Sequence, residues 1–131
     1  MMVPRMADRA SGSVIVISSI GEKVGNKTIG VYNISKTANS QLVRNLAVEW
    51  GAQNVLANCI APGLIKTDRA RALWESTTIR QFVEDHTPLE RIGTTDNVVA
   101  VAVFLASPAA AFVTGQTLVV GGGFTIAELV G

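Results

Sequence analysis

A run of β-branched residues from Val14 to Ile17 is the feature that most constrains how this chain can fold. Gly12 stands before the run and Ser18-Ser19 ends it, so we predict a strand over residues 13–18. The run is continuous rather than alternating, which is typical of a strand that is covered on both faces. We therefore expect a parallel sheet with helices on both of its sides.

A helix and a second strand follow this run. Apolar residues recur at spacings of three and four, which predicts a long helix that starts near Val31 and stops near Gly51. The predicted inner face of this helix consists of Val31, Ile34, Ala38, Leu42, Leu46 and Trp50. Residues 55–60 predict a second strand that ends at Pro62-Gly63. Strand, helix and strand in this order form a βαβ unit with parallel strands.

The remaining segments complete a single α/β domain over residues 1–131. Residues 1–11 resemble the end of a helix. Residues 67–84 indicate one or two short helices that would cover a neighbouring pocket. Trp74 and Phe82 are expected to be isolated packing anchors in that closing segment, and contact with substrate is the alternative. Residues 97–106 predict another helix and residues 117–120 a third strand. We therefore expect about three parallel strands with flanking helices.

Composition limits the kinds of partner. The net charge is +1 and the basic residues are scattered, so we predict neither a nucleic-acid surface nor a membrane-binding face. The longest apolar runs are far shorter than the ~20 residues of a membrane-spanning helix. The single cysteine, Cys59, cannot form an internal disulfide, which favours a cytoplasmic location. No metal site is predicted.

Tyr32, Lys36 and Ser19 are the candidates for chemistry. Tyr32 and Lys36 are four residues apart, so on a helix they share a face. An ammonium at about 4 Å stabilises a phenolate by on the order of 4 kcal/mol at an effective dielectric near 20. Ser19, at the end of a strand, could hydrogen-bond an oxygen whose charge changes during reaction. The three groups together predict proton transfer to or from an alcohol or a carbonyl.

Each part of this cluster also has a simpler explanation. Tyrosine and lysine at this spacing occur by chance in many helices, and Ser18 competes with Ser19 for the role at the strand end. The 13-residue spacing from Ser19 to Tyr32, within a strand–loop–helix setting, favours the catalytic interpretation. A hydrolase built on Cys59 and His86 is a weaker alternative, because an apolar strand indicates a core position for the thiol.

The motifs and their order resemble the short-chain dehydrogenase/reductase family. The strand GSVIVISS at residues 12–19 and the helix start YNISK at residues 32–36 match that family's pattern. Further matches in family order are NCIAPG at 58–63, RIG at 91–93, FLAS at 104–107 and TGQ at 114–116. The resemblance covers residues 6–126 and implies a Rossmann-like doubly wound parallel sheet.

The resemblance also implies NAD(P)-dependent hydride transfer between a small-molecule carbonyl and a secondary alcohol. By it, Ser19 orients the substrate oxygen, Tyr32 is the general acid/base, and Lys36 stabilises the phenolate and contacts the nicotinamide ribose. The residues implied to bind the cofactor are Tyr32, Lys36, Pro62, Gly63, Ile65 and Thr67. The family also implies a homo-dimer or homo-tetramer assembled through the long helix and the final strand.

The chain departs from the family pattern before its serine strand. The family begins with a strand, a Gly-rich turn and a helix that hold the cofactor pyrophosphate, and no glycine precedes Gly12 here. The sequence is therefore interpreted as the C-terminal part of a Rossmann-like domain, with NAD or NADP as cofactor. An open edge beside the serine strand predicts weak folding, association and no turnover by this chain alone. The alternative function is an inactive remnant or oligomer-interface module without cofactor binding.

Overall fold

The computed structural model describes residues 2–127, which contain a three-stranded parallel sheet. Its strands are β1 (Gly12–Ile17), β2 (Val55–Pro62) and β3 (Thr117–Val120), in the order β1-β2-β3. Gly12 lies opposite Val55 and Cys59 lies opposite Thr117. The three predicted strands are confirmed, and the carboxyl ends of all three lie at one edge of the sheet.

Five α-helices accompany the sheet within the same residues. They are α1 (Met2–Asp8), α2 (Gly30–Trp50), α3 (Arg71–Trp74), α4 (Thr77–Asp85) and α5 (Thr95–Ala106). Short 3₁₀ turns occur at Ile20–Glu22, Gly51–Gln53 and Pro108–Ala110. Helix α2 joins the parallel strands β1 and β2, which is the predicted βαβ unit, and α3 and α4 are the short helices expected between residues 67 and 84.

Two apolar clusters hold the helices on opposite faces of the sheet. Val43 of α2 packs with Ala57 and Cys59 of β2, and all three side chains are fully buried. Ile60 of β2 packs with Leu105 of α5 in the second cluster. Because successive side chains of β2 enter different clusters, both faces of the strand are covered. This explains the continuous apolar run and confirms the α/β fold class.

The predicted inner face of α2 is wrong over the first three turns, where Val31, Ile34, Ala38 and Leu42 are exposed, and right at Leu46, which packs against the first apolar cluster. Val31 is 84% exposed and Ile34 is 71% exposed, whereas the buried residues of this helix are Asn33, Ser40 and Val43. Two of those three buried side chains are polar and form hydrogen bonds inside the protein. The apolar periodicity over residues 31–42 therefore follows the outward face of α2, because hydrogen bonding rather than apolar packing occupies that part of its inward face.

Asn58 fixes the segment that leads into β3. Its fully buried side chain donates from Nδ2 to the carbonyl oxygen of Val113 at 2.7 Å, and its Oδ1 accepts from the Gln116 amide at 3.0 Å. Both polar ends of this buried amide are therefore paired. In the described part of the chain, no helix has both the length and the apolar character needed to cross a bilayer.

Candidate active site

Ser19 lies directly beyond the carboxyl end of β1, where the chain enters the 3₁₀ turn Ile20–Glu22. Its backbone is extended, and its Oγ accepts a hydrogen bond from the Gly21 amide at 3.1 Å, which caps the turn. This bond uses a lone pair of the hydroxyl and leaves its proton unused. Ser19 is therefore arranged to donate to an oxygen placed beside it.

Ser18 is differently engaged. Its side chain is buried, and its Oγ lies 2.7 Å from Glu22 Oε2 and 2.9 Å from the carbonyl oxygen of Lys36. The single hydroxyl proton of Ser18 is thus shared between two acceptors inside the protein. Of the two adjacent serines, Ser19 is the one with a proton available for a substrate.

Tyr32 and Lys36 lie one turn apart near the start of α2. The Lys36 ammonium is 5.5 Å from the centre of the Tyr32 ring and donates to the carbonyl oxygen of Ile17 at 3.1 Å. The phenol is 42% exposed, and its hydroxyl makes no hydrogen bond within residues 2–127. The end of β1 therefore holds the lysine beside a phenol that is free to meet a ligand.

Ser19 and Tyr32 open onto the same cleft, which has a volume of about 750 Å³. This volume lies within the usual range for small-molecule sites. The end of β2 and the segment after it contribute the other predicted site residues, which are Pro62, Gly63, Ile65 and Thr67. Lys36 does not line the cleft and instead contacts it through Tyr32 and Ile17. The predicted site residues are therefore brought together around one cavity.

Close backbone packing holds the segment after β2 in place. The Gly63 amide donates to the carbonyl oxygen of Val120 at 2.9 Å, and a Cβ at position 63 would lie only 3.0 Å from the Cα of Gly121. A side chain at position 63 would therefore require the backbone at Gly121 to shift. Thr67 Oγ1 accepts from the Ala70 amide at 3.2 Å, which leaves the proton of that hydroxyl unused.

Helices α3 and α4 supply apolar walls. The side chains that line the cleft here are Leu73, Ile79 and Val83, while Trp74 and Phe82 do not line it. Trp74 donates from Nε1 to the carbonyl oxygen of Thr67 at 2.7 Å, and Phe82 stacks on His86 at 4.3 Å between ring centres. The predicted closing segment thus contributes aliphatic side chains to the cleft, and the alternative of cleft contact through its two aromatic residues is wrong.

Arg69 is the single charged residue among the described residues that line this cleft. Its side chain is exposed, and it forms no ion pair with a carboxylate of residues 2–127. The neighbouring Arg71 instead pairs with Asp68. The cleft therefore combines apolar walls with one positive charge.

Two buried polar residues beside the cleft were missed from the sequence. The side chain of Glu22 is only 2% exposed although it follows a glycine in a polar loop. Asn33 donates from Nδ2 to the carbonyl oxygen of Val24 at 3.1 Å, and its buried Oδ1 has no partner in the described residues. No sequence pattern indicates either burial, because both depend on how the loop after β1 folds against α2.

Cys59 and His86 do not form a nucleophilic pair. Cys59 is fully buried in β2, and burial is the main reason that the pKa of its thiol is raised. His86 is partly exposed directly after α4, with its Nδ1 2.7 Å from the carbonyl oxygen of Phe82. Within residues 2–127, no three His, Cys, Asp or Glu side chains are grouped as metal ligands would be.

Known proteins are similar to this chain in both sequence and fold. A family model described as Enoyl-(Acyl carrier protein) reductase matches residues 1–125. Dehydrogenase/reductase SDR family member 4 of Sus scrofa is 40% identical over 122 residues, which are 93% of this chain and 44% of that protein. The chain thus spans about half the length of the curated relatives it matches.

Solved structures extend this similarity. A gluconate 5-dehydrogenase from Burkholderia cenocepacia, in complex with NADP and tartrate, has a TM-score of 0.91 and 35% identity, covering 95% of this chain and 49% of that one. A 7α-hydroxysteroid dehydrogenase complexed with NADH and 7-oxo glycochenodeoxycholic acid has a TM-score of 0.89 and 38% identity, covering 98% and 49%. The chain therefore belongs to the short-chain dehydrogenase/reductase family of oxidoreductases.

Proposed function

We propose that this chain carries the substrate-side and proton-transfer part of an NAD(P)-dependent oxidoreductase that interconverts a carbonyl and a secondary alcohol. The observation that carries the proposal is that Ser19 and Tyr32, each with an uncommitted hydroxyl proton, open onto one cleft with Lys36 directly behind the phenol. Apart from Tyr32, Arg69 is the only titratable side chain among the described residues that line that cleft.

The three side chains have complementary roles in this proposal. The Ser19 hydroxyl donates to the substrate oxygen and fixes its position, since its lone pair is engaged by Gly21. The Tyr32 phenol gives its proton to that oxygen during reduction and takes it back during oxidation. The Lys36 ammonium stabilises the phenolate that remains after proton donation. Lys36 stays in place because the carbonyl of Ile17 holds it.

A nicotinamide cofactor would supply or accept the hydride when bound. The residues that fit it are Pro62, Gly63, Ile65 and Thr67, together with Tyr32 and Lys36. The unused Thr67 proton provides a donor for a carboxamide or phosphate oxygen. The neighbours complexed with NADP and with NADH support NAD(P) in general as the cofactor.

The test is a titration of the purified chain with NADPH and NADH, followed by nucleotide fluorescence. We expect saturable binding that weakens in Lys36→Met and persists in Tyr32→Phe. Reduction of a panel of apolar and acidic ketones is then followed by the loss of NADPH absorbance. Any turnover should vanish in Tyr32→Phe, and turnover that survives this change would contradict the assigned role of the phenol.

A second candidate is an interface module without cofactor binding. The exposed apolar side chains on α2 favour it, namely Val31, Ile34 and Leu42. Apolar patches of this kind mark association surfaces. The absence of nucleotide binding, combined with self-association that Ile34→Glu abolishes in sedimentation velocity, would favour this candidate over the oxidoreductase.

A further inference from the structure

A buried carboxylate lies immediately behind the candidate active site. The side chain of Glu22 is 2% exposed, and the residue ends the 3₁₀ turn Ile20–Glu22. Its Oε1 lies 3.3 Å from the ammonium of Lys23, whose side chain is 47% exposed. A buried carboxylate is costly unless hydrogen bonds and an opposite charge compensate it, so its position calls for a structural reason.

The hydrogen bonds of Glu22 join separate parts of the fold. Its Oε2 accepts from the Ser18 hydroxyl at 2.7 Å and from the Ser40 hydroxyl at 2.5 Å. The Ser40 hydroxyl also lies 2.9 Å from Thr117 Oγ1 at the start of β3. One carboxylate therefore links the end of β1, the inward face of α2 and the beginning of β3.

The same network reaches the catalytic candidates through their backbones. Ser18 precedes Ser19, and its Oγ lies 2.9 Å from the carbonyl oxygen of Lys36. Lys36 and Ser40 are one helical turn apart, so Glu22 contacts α2 directly at Ser40 and indirectly at Lys36. Two contacts in consecutive turns of α2, at Lys36 and at Ser40, thus fix the distance between this helix and the end of β1.

We propose that Glu22 is a positioning residue that fixes Ser19 relative to Tyr32 and Lys36. The carboxylate touches none of the reacting groups and acts through Ser18 and Ser40. An error of about 1 Å in the placement of reacting groups can cost about 100-fold in rate. A charged acceptor held by two hydroxyls resists such displacement better than a neutral one, because hydrogen bonds to charged groups are stronger.

The spectroscopic test uses Tyr32, which is the only tyrosine of the chain. In protein labelled at tyrosine with ¹³C, the ring signals report the surroundings of that one residue. Glu22→Gln keeps the size of the side chain and removes its charge, and we expect it to shift these signals. Glu49→Gln is the matched control, because Glu49 lies exposed in the last turn of α2, the helix that also carries Tyr32. It should leave the signals unchanged.

Ser18→Ala provides a second variant in case Glu22→Gln does not fold. It removes the link to Lys36 while leaving Glu22 and Ser40 in place, so the Tyr32 signals should shift in the same direction. The double variant, with both Glu22→Gln and Ser18→Ala, should shift the Tyr32 signals no further than the single variant with the larger shift, because both changes act on the same hydrogen-bond network. Tyr32 signals that coincide with the wild type in folded Glu22→Gln or Ser18→Ala would overturn the proposal, whatever happens to the unfolding midpoint.

The positioning role in catalysis rests on the proposed function, and a kinetic measurement separates the two. If the chain reduces a ketone, Glu22→Gln should lower kcat by about 10- to 100-fold with little change in KM. An unchanged kcat would overturn the positioning role and leave the oxidoreductase intact. If wild-type protein shows no turnover, the proposed function fails, while the Tyr32 signals still decide whether Glu22 sets the geometry.

Discussion

The ammonium of Lys36 lies 3.1 Å from the carbonyl oxygen of Ile17, the last residue of β1. The same ammonium lies 5.5 Å from the centre of the Tyr32 ring. A flexible lysine is thus fixed at its charged end by the sheet, next to the phenol one turn before it. The carbonyl oxygen at the end of β1 therefore determines where the positive charge of Lys36 lies in the site.

Replacement of Lys36 by methionine should lower activity and leave the fold intact. The methionine retains most of the apolar stem, so we expect a small effect on stability, but it removes the charge beside Tyr32. Any ketone reduction should fall by about 100-fold or more, since the phenolate loses its nearest cation. NADPH oxidation assays measure this loss. Lys27→Met, in the exposed loop before α2, is the control and should retain full activity.

Gly21 should tolerate no side chain. A Cβ at this buried position would lie well inside van der Waals contact of Asn33 Oδ1, whereas a Cβ at Gly25 would meet nothing within 4 Å. Gly21→Ala should therefore lower the free energy of unfolding by about 1–3 kcal/mol. Gly25→Ala should leave it unchanged or raise it slightly, because alanine restricts the unfolded chain. Urea denaturation of both variants measures the difference, and equal stabilities would contradict the packing of Asn33 against the turn.

Arg69 should bias the cleft towards substrates that carry an anionic group. It is the single charged residue among the described residues that line the cleft, and its neighbour Arg71 is already paired with Asp68. Isothermal titration should show that decanoate binds more tightly than decanol, and Arg69→Gln should weaken decanoate binding by about tenfold or more. Arg71→Gln is the matched control and should leave it unchanged. Equal affinity for acid and alcohol would argue against this preference.

Much of the fold could be predicted because the sequence marks it locally. The continuous apolar run at Val14–Ile17 requires cover on both faces, and α2 and α5 provide that cover. The site residues could be placed near one another for a similar reason. Ser19 follows one strand and Pro62-Gly63 ends its parallel neighbour, so both lie at the same edge of the sheet.

The inward face of α2 could not be predicted from apolar spacing. Beside Val43 this face contains the polar residues Asn33 and Ser40, whose partners are the Val24 carbonyl and the Glu22 carboxylate in the preceding loop. Periodicity detects apolar faces and gives no signal for a polar face that is paired after folding. The burial of Glu22 could not be predicted for the same reason, because a glutamate in a loop with several glycines is typical of an exposed residue.

Cys59 should make stability depend on pH in the alkaline range. Burial is the main cause that raises the pKa of this thiol from its ordinary value of 9.0, and the charge of Glu22 adds to it. A pKa that is higher in the folded state means that folding favours the protonated thiol. The resulting stabilisation is complete below the unfolded pKa and is lost as the pH rises through the folded one.

The measurement is urea unfolding of the wild type and of Cys59→Ala at a series of pH values from neutral to above 9.0. The variant will be less stable at neutral pH because it loses packing in a fully buried position. The difference between the two proteins should shrink as the pH rises, by at most about 1.4 kcal/mol per pH unit. All other residues are the same in the two proteins, so their contributions cancel in this difference. A constant difference across the series would show that the thiol ionises as readily in the folded protein as in the unfolded one.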